Sequence, residues 1–354
     1  MATSVAGIFP WVSVKSILAI ATSPNMADPA LQVFECVRNL WATRCLSTVA
    51  SLKIPDFLRD GPRTSKDIAE HFNLHEDSVF RLLRAVSTMG FLEHSGSNVF
   101  ALTATGECLI SDVPGSMRAY LVTMCAPGHW LPWGNIESTI QSGVPATEME
   151  LGADLGSYYS KHPDEGDAFN EAMQHVNNMS AAVCLDAYPF EDIVSNDMCI
   201  VDVGGAHGDF LGDVLHKLNR PSIRGILFER PEVIDAAAAH VSSDIDLMSG
   251  DFFESVPPGD LYLLKHVLHE WTDAQCVAIL RNIRAAMDTS GRVVVVDVLV
   301  EGTEALVDMN MLVMFNGRER TEAEFAALFQ QADLKLSQVI RTGTPFAVLE
   351  AVAA

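Results

Sequence analysis

Hydrophobic positions repeat in two ways along this chain, and the change falls near Met198. Before it, apolar residues recur at helical spacing. Leu31, Phe34, Val37, Leu40, Trp41, Leu46, Val49 and Leu52 make one long stripe, broken where Ile54-Pro55 follows. So wide a stripe, with little after it to cover it, predicts a helix that pairs with a second subunit. Thr64 to Leu102 is a second organised stretch. Thr64 with Asp67 reads as a helix start, Asn73 as a turn, and Val79, Leu82, Leu83 and Val86 as one helical face ended by Gly90. Two short β segments, Phe91–Glu93 and Val99–Leu102, flank the turn residues Ser95-Gly96-Ser97-Asn98. Helix, turn, helix and hairpin together predict a winged helix. Thr105 to Phe190 reads as further helices, with an aromatic cluster at His129-Trp130-Leu131-Pro132-Trp133.

After Met198 short apolar runs alternate with helical ones. Strands are predicted at Cys199–Val203, Arg224–Phe228, Ile245–Met248, Leu261–His266 and Val293–Leu299. Helices are predicted to begin near Gly208, Pro231, Asp273 and Thr321. Lys335–Ile340 and Phe346–Ala351 close the pattern as antiparallel strands. This is the order of an α/β, Rossmann-like, doubly wound sheet with an antiparallel edge. The expected divisions are an extension over 1–27, a winged-helix domain over 28–118 and an α/β domain over 119–354. Within the last, 119–195 is a helical connection, to which the resemblance described below adds the substrate pocket, and 196–354 is the sheet core.

Composition narrows the partners. The 354 residues are 49% hydrophobic, ample for a sizeable core. Acids outnumber bases 46 to 23, a net charge of −23 spread along the chain. That surface repels phosphate backbones and anionic lipid, so nucleic acid and membrane are poor partners despite the winged helix. Only Arg81 and Arg84 would serve a recognition helix at Ser78–Met89. Seven cysteines, an odd number without C-x-x-C, fit a reducing cytosol better than a disulfide or zinc framework. Val5–Ala21 is mostly apolar, but it lacks a basic start and Pro10 and Lys15 interrupt it. It reads as an extension packing on a partner subunit, or as sequence upstream of a start at Met26, in a cytoplasmic protein.

Candidate chemistry gathers at predicted strand ends. Val201-Asp202-Val203-Gly204-Gly205-Ala206-His207-Gly208 is a strand, a glycine turn and a helix start, the place where open α/β sheets bind ligands. Its D-x-G-x-A-x-G spacing differs from the G-x-G-x-x-G of dinucleotide folds, which disfavours a nicotinamide dehydrogenase. Glu229 could accept bonds from ribose hydroxyls. Asp251 and Phe252 could offer an acceptor and a ring face to adenine, and Lys265 and His266 end the fourth strand. Each has an ordinary structural use as cap or core; together they make a nucleoside-shaped set. Beyond them, in Leu263–Asp273, lies His269. Its imidazole, with an ordinary pKa of about 6.5, is available as a base at cellular pH. His266 competes for that role.

These marks, with Gly317-Arg318-Glu319-Arg320-Thr321, resemble the S-adenosylmethionine (SAM)-dependent O-methyltransferases of the caffeate, isoflavone and hydroxyindole type, whose bacterial relatives act on phenazines and aromatic polyketides. The resemblance runs from about Leu31 to the C-terminus. It implies a class I methyltransferase sheet, an N-terminal winged-helix domain used for homodimerisation, SAM as cofactor and no metal. By the same resemblance His269 is the general base, Glu270 the acid after it, Glu319 the acid that orients it, and Asp297 a further pocket acid. Asp202, Gly204, Gly205, Glu229, Asp251, Phe252 and Lys265 would hold SAM. Met173, Trp130, Met311 and Met314 would border the substrate. Ala206 stands where the family has a third glycine, Glu229-Arg230-Pro231 where it has Asp-Leu-Pro, and Asn177 where it often has Ser.

The reaction implied is methyl transfer to a phenolic or N-hydroxyl oxygen of a small aromatic substrate, the acceptor proton passing to His269. A SAM-binding relative with diverged hydroxylation or cyclisation chemistry is the alternative, and a DNA-binding regulator a distant one.

Overall fold

A computed structural model describes residues 29–96 and 98–354. The extension expected over 1–27, and Ser97 of the expected turn, lie outside the described residues. The chain divides into two compact units. One runs through Pro127 and takes Asp164–His175; the other comprises Gly128–Pro163 and Val176–Ala354. The long helix Pro163–Ala187 contributes to both.

In the first unit the helix Pro29–Ser51 is buried only near its end, at Ser47, Val49 and Ala50. Leu31, Val33, Phe34, Val37, Leu40 and Trp41 along its earlier turns are exposed. The break falls at Lys53, which takes a left-handed conformation, and the proline opens the next helix, Ile54–Leu58, rather than merely ending the last. Helix Ser65–Phe72 begins with the expected capping box, Thr64 and Asp67 exchanging hydrogen bonds, and ends at Asn73 in the left-handed region. Helix Glu76–Ser87 follows. Strands β1 (Arg63–Thr64), β2 (Leu92–Ser95) and β3 (Val99–Leu102) form a three-stranded sheet in the order β1-β3-β2, which completes the wing. Ile68, Val79, Leu83, Val86, Leu92 and Phe100 pack together beneath it.

The second unit holds the large sheet: β4 (Cys199–Val203), β5 (Arg224–Glu229), β6 (Ile245–Ser249), β7 (Gly259–Lys265), β8 (Met287–Val298), β9 (Leu334–Arg341) and β10 (Phe346–Ala353). The order is β6-β5-β4-β7-β8-β10-β9, with β10 antiparallel to both neighbours and the first five strands parallel. The central strands are apolar throughout because both faces are covered. Val201, Val203, Tyr262 and Leu264 enter the core on one face; Ile200, Leu261 and Leu263 enter the core on the other. Parallel pairing brings the ends of β4, β5, β7 and β8 to one edge. The chain reverses direction across the sheet between β4 and β7, a position that opens a crevice for ligand. One helix was not expected from periodicity, Ala305–Met314. Its sequence ALVDMNMLVM is apolar on nearly all sides, so it has no polar face to betray the helical repeat. Among the described residues no helix is long and apolar enough to cross a membrane.

Candidate active site

The corner after β4 is built from a strained loop. Gly204, Ala206 and Gly208 all have positive φ, at 72°, 51° and 77°. The first and last suit glycine; Ala206 tolerates the same region because its methyl points into open surroundings, at a cost of about 1–2 kcal/mol. Gly205 is glycine for another reason. A Cβ there would lie 2.3 Å from Asp202 Oδ2 and 2.8 Å from Leu227 Cδ1. A Cβ on Gly204 would meet Val267 at 3.0 Å and the edge of Phe252 at 3.7 Å, so that ring borders the corner.

Asp202 lies under the loop, 1% exposed, and neither carboxylate oxygen has a hydrogen-bond partner of normal geometry. Burial pushes its pKa up to about 7, with Lys265 and the Leu211 peptide opposing. Lys265 is lowered in turn, chiefly by burial, and its Nζ donates to Asn177 Oδ1 at 3.0 Å. Glu229 accepts from the Arg230 N–H through Oε2 at 2.7 Å, and Asp251 accepts from the Phe253 N–H through Oδ1 at 2.8 Å. Each of these two carboxylates keeps a second oxygen for a ligand. A buried acid without a protein donor of normal geometry, beside a Gly205 that leaves no room for a side chain, suits a polar ligand that brings its own cationic donor.

The second group lies past β7. His266 has φ 57°, a rare state for a non-glycine residue. Its peptide N–H donates to Val296 O at 2.9 Å, its Nε2 is 3.0 Å from Ser180 Oγ, and its Nδ1 is 3.6 Å from Asp297 Oδ1. Its Nε2 is therefore engaged, while Nδ1 faces Asp297 from beyond hydrogen-bond distance. His269 follows on the 3-10 turn Leu268–Glu270. Its Nδ1 lies 3.0 Å from Glu319 Oε1 and 3.2 Å from Asp297 Oδ1. Nε2 has no hydrogen-bond partner among the described residues, and 17% of the side chain is open to solvent.

Sequence resemblance assigned the orienting role to Glu319 alone; here Nδ1 is within reach of both acids. Burial by itself would lower the His269 pKa, but the two carboxylates outweigh it and hold it well above the ordinary imidazole value. Burial would raise Asp297, but His269 and His266 hold it below the ordinary carboxylate value. Glu319 moves the other way, raised mainly by burial. Asp297 is thus the ionised partner and Glu319 the readier to keep a proton. His266, His269 and Asp297 also bring three donor atoms within 4.8 Å of one another, a spacing open to a cation, but these atoms already face each other as imidazole and carboxylate.

The remaining candidates are scattered. Glu270 is exposed. Met311 is 7% exposed, and its Cε stands 2.8 Å from where a Cβ on Gly317 would be; His269 O is 2.3 Å from the same point. It therefore borders the base loop. Met314 is buried, and its carbonyl accepts from the Thr147 hydroxyl. Trp130 is partly exposed on the helix Pro127–Gly134, and Met173 belongs to the Asp164–His175 stretch of the first unit. Residues that sequence reasoning passed over include Ser180, which holds His266, and Asp308, whose Oδ1 accepts the Glu319 N–H at 2.9 Å. Neither carries a local signal; each matters only through a partner distant in sequence.

A seven-stranded sheet in this order, with a glycine corner on β4 and an acid-backed imidazole after β7, defines a class I methyltransferase. The O-methyltransferase domain family matches residues 133–335, and the O-methyltransferase dimerisation domain family matches residues 34–112. The chain is 32% identical over 330 residues to the mitomycin biosynthesis 6-O-methyltransferase of Streptomyces lavendulae, covering 90% of this chain and 93% of that protein. It is equally identical, over the same length, to the phenazine O-methyltransferase PhzM of Lysobacter antibioticus, covering 95% of it. The S-adenosylhomocysteine-bound structure of CalO1, a methyltransferase in calicheamicin biosynthesis, superposes with a TM-score of 0.82 at 30% identity, over 92% of this chain and 98% of that one. The chain belongs to the O-methyltransferase family. It is a SAM-dependent O-methyltransferase of the secondary-metabolite type, with an N-terminal dimerisation domain.

Proposed function

We propose that the enzyme methylates a phenolic or N-hydroxyl oxygen of a small aromatic substrate, with His269 as general base. The observation that carries this reading is the state of one ring: Nδ1 is tied to two buried acids while Nε2 is left free. SAM supplies an activated methyl group, so the chain need only align the acceptor and remove its proton. Asp202, Gly204, Gly205, Glu229, Asp251, Phe252 and Lys265 would hold the cofactor at the β4 corner and the neighbouring strand ends. Nε2 would take the hydroxyl proton. Asp297, already ionised, would stabilise the imidazolium, and Glu319 would keep the ring from turning. Met311 borders that loop and would line the acceptor; Trp130 and Met314, of the same unit, complete the proposed lining. The exposed apolar turns of Pro29–Ser51, within the dimerisation domain, support a homodimer, and the acidic surface supports a cytoplasmic protein free of nucleic acid.

General-base help of this kind is worth about 10²–10⁴-fold. His269→Ala is expected to lose that factor in kcat while its calorimetric SAM affinity stays within about threefold. The wild-type protein should sediment as a dimer and raise the mass of a phenolic acceptor by one methyl. The base must be neutral to work and its pKa is held high, so activity should climb as pH rises, with a midpoint above about 6.5. Undiminished turnover in His269→Ala would remove it from the role.

A further inference from the structure

Arg320 is 0% exposed, an unusual place for a permanent charge. Its guanidinium spends its donors on one turn. Nη1 donates to the Leu268 carbonyl at 2.9 Å, Nη2 to the Trp271 carbonyl at 2.7 Å, and Nε to Asp273 Oδ1 at 2.9 Å. Those acceptors bracket residues 268–273, the turn that presents His269. Nη1 also reaches the carbonyl of Arg318 at 3.2 Å, on the other side of Glu319. The backbone of Arg320 makes a third connection. Its carbonyl accepts from Val300 N–H at 3.0 Å, and it bridges Leu299, two residues beyond Asp297. The two loops are also docked closely. Arg318 N–H donates to His269 O at 2.7 Å, and Gly317 lies so near that carbonyl that no side chain would fit.

One residue thus joins the segment bearing the base, the loop bearing one acid and the strand bearing the other. We propose that Arg320 is a positioning residue for methyl transfer, fixing the distances at which Glu319 and Asp297 hold the His269 ring. This rests on the reading of His269 as base. A planar fork with five N–H donors can serve four acceptors in fixed directions; a lysine ammonium has three and no plane. Arg320→Lys should therefore keep the charge and lose the alignment.

The groups facing His269 are Asp297, Glu319 and His266, so loosening the turn moves the two acids away from the ring together. The test compares wild type, Arg320→Lys and Arg320→Met by melting, SAM calorimetry, steady-state kinetics and 15N-histidine NMR titration. Expected are SAM affinities within threefold, kcat lowered about tenfold in Arg320→Lys and about a hundredfold in Arg320→Met, and a His269 titration displaced toward the ordinary imidazole value. In a His269→Ala background, Arg320→Lys should lower kcat no further. If Arg320→Met does not fold, Arg320→Lys carries the test. A kcat and a His269 titration both unchanged in Arg320→Lys would overturn the proposal, and so would equal losses in kcat and SAM affinity. Activity retained in His269→Ala would instead overturn the base reading itself.

Discussion

The corner after β4 and the cluster after β7 occupy the same edge of one sheet, yet their buried acids are held differently. At the cluster each acid turns one oxygen to the His269 ring, Glu319 Oε1 and Asp297 Oδ1 both facing Nδ1, while His266 meets Ser180 and the Glu319 peptide meets Asp308; Asp297 Oδ2 and Glu319 Oε2 have no hydrogen-bond partner among the described residues. At the corner Asp202 is as deeply buried and has no protein donor of good geometry. A buried acid left so costs stability until something pairs with it. At the cluster the two acids orient the His269 ring from within the chain. At the corner the proposed cofactor would meet the demand left by Asp202, so stability given up in the free protein would return as affinity.

The largest effect that would break this contrast is expected at Gly205. Adding one methyl there places carbon within 2.3 Å of Asp202 Oδ2, so the carboxylate or the turn must shift. Overpacking of this kind costs about 1–3 kcal/mol. Gly205→Ala should weaken SAM binding by about ten- to a hundredfold in calorimetry. Because His269 is held by its own partners, its NMR titration should not move. A titration that moved with it would show the two regions to be mechanically one.

How much of this was legible in the sequence depends on how local the cause is. The β4 corner was readable because its strand, turn and helix start are consecutive residues, and each positive φ falls on or beside a glycine. The strands were readable because burial on both faces leaves unbroken apolar runs. The cluster was not: Glu319 stands 50 residues after His269, and only resemblance to a family joined them. Asp297 had a faint signal of its own, one acid at the end of Val293-Val294-Val295-Val296, where an unpaired charge would be costly. That both acids reach the same nitrogen, that His266 shares one of them, and that Arg320 staples the loops are facts of distance between segments. No periodicity or spacing encodes them.

Asp202 allows a sharper and smaller test. Its pKa rises from the ordinary 3.8 to about 7 on folding, because burial disfavours the charged form. Between those values the folded chain keeps a proton that the unfolded chain has released. Stability from this group is therefore full below about pH 4 and lost as pH climbs through about 7. Asp202→Asn removes the loss. At pH 8 it should make the SAM-free protein more stable by about 1–3 kcal/mol, because the amide has no charge to leave unpaired in the interior. Its SAM affinity should fall about tenfold, since an amide oxygen still accepts a hydrogen bond but offers a cationic donor no charge. Urea melts at pH 5 and pH 8 decide it: a wild-type minus variant difference that does not change with pH would mean Asp202 is already satisfied.

The smallest effect comes from a matched pair. Ala206 and His266 both sit at positive φ, 51° and 57°, one in each region, and in both glycine would relieve the same backbone strain of about 1–2 kcal/mol. At the corner nothing but the loop holds Ala206, whose methyl is exposed. Ala206→Gly should recover most of that energy, raising the melting temperature by a degree or two at full activity. At the cluster the strain is held in place by the His266 ring, which occupies Ser180 and part of Asp297. His266→Gly releases the strain but strips a neighbour from Asp297, leaving that carboxylate to His269 alone. The midpoint of the pH–activity rise should then move upward, and melting should show no gain. Equal behaviour of the two variants would mean that His266, like Ala206, is only a residue caught in an awkward turn.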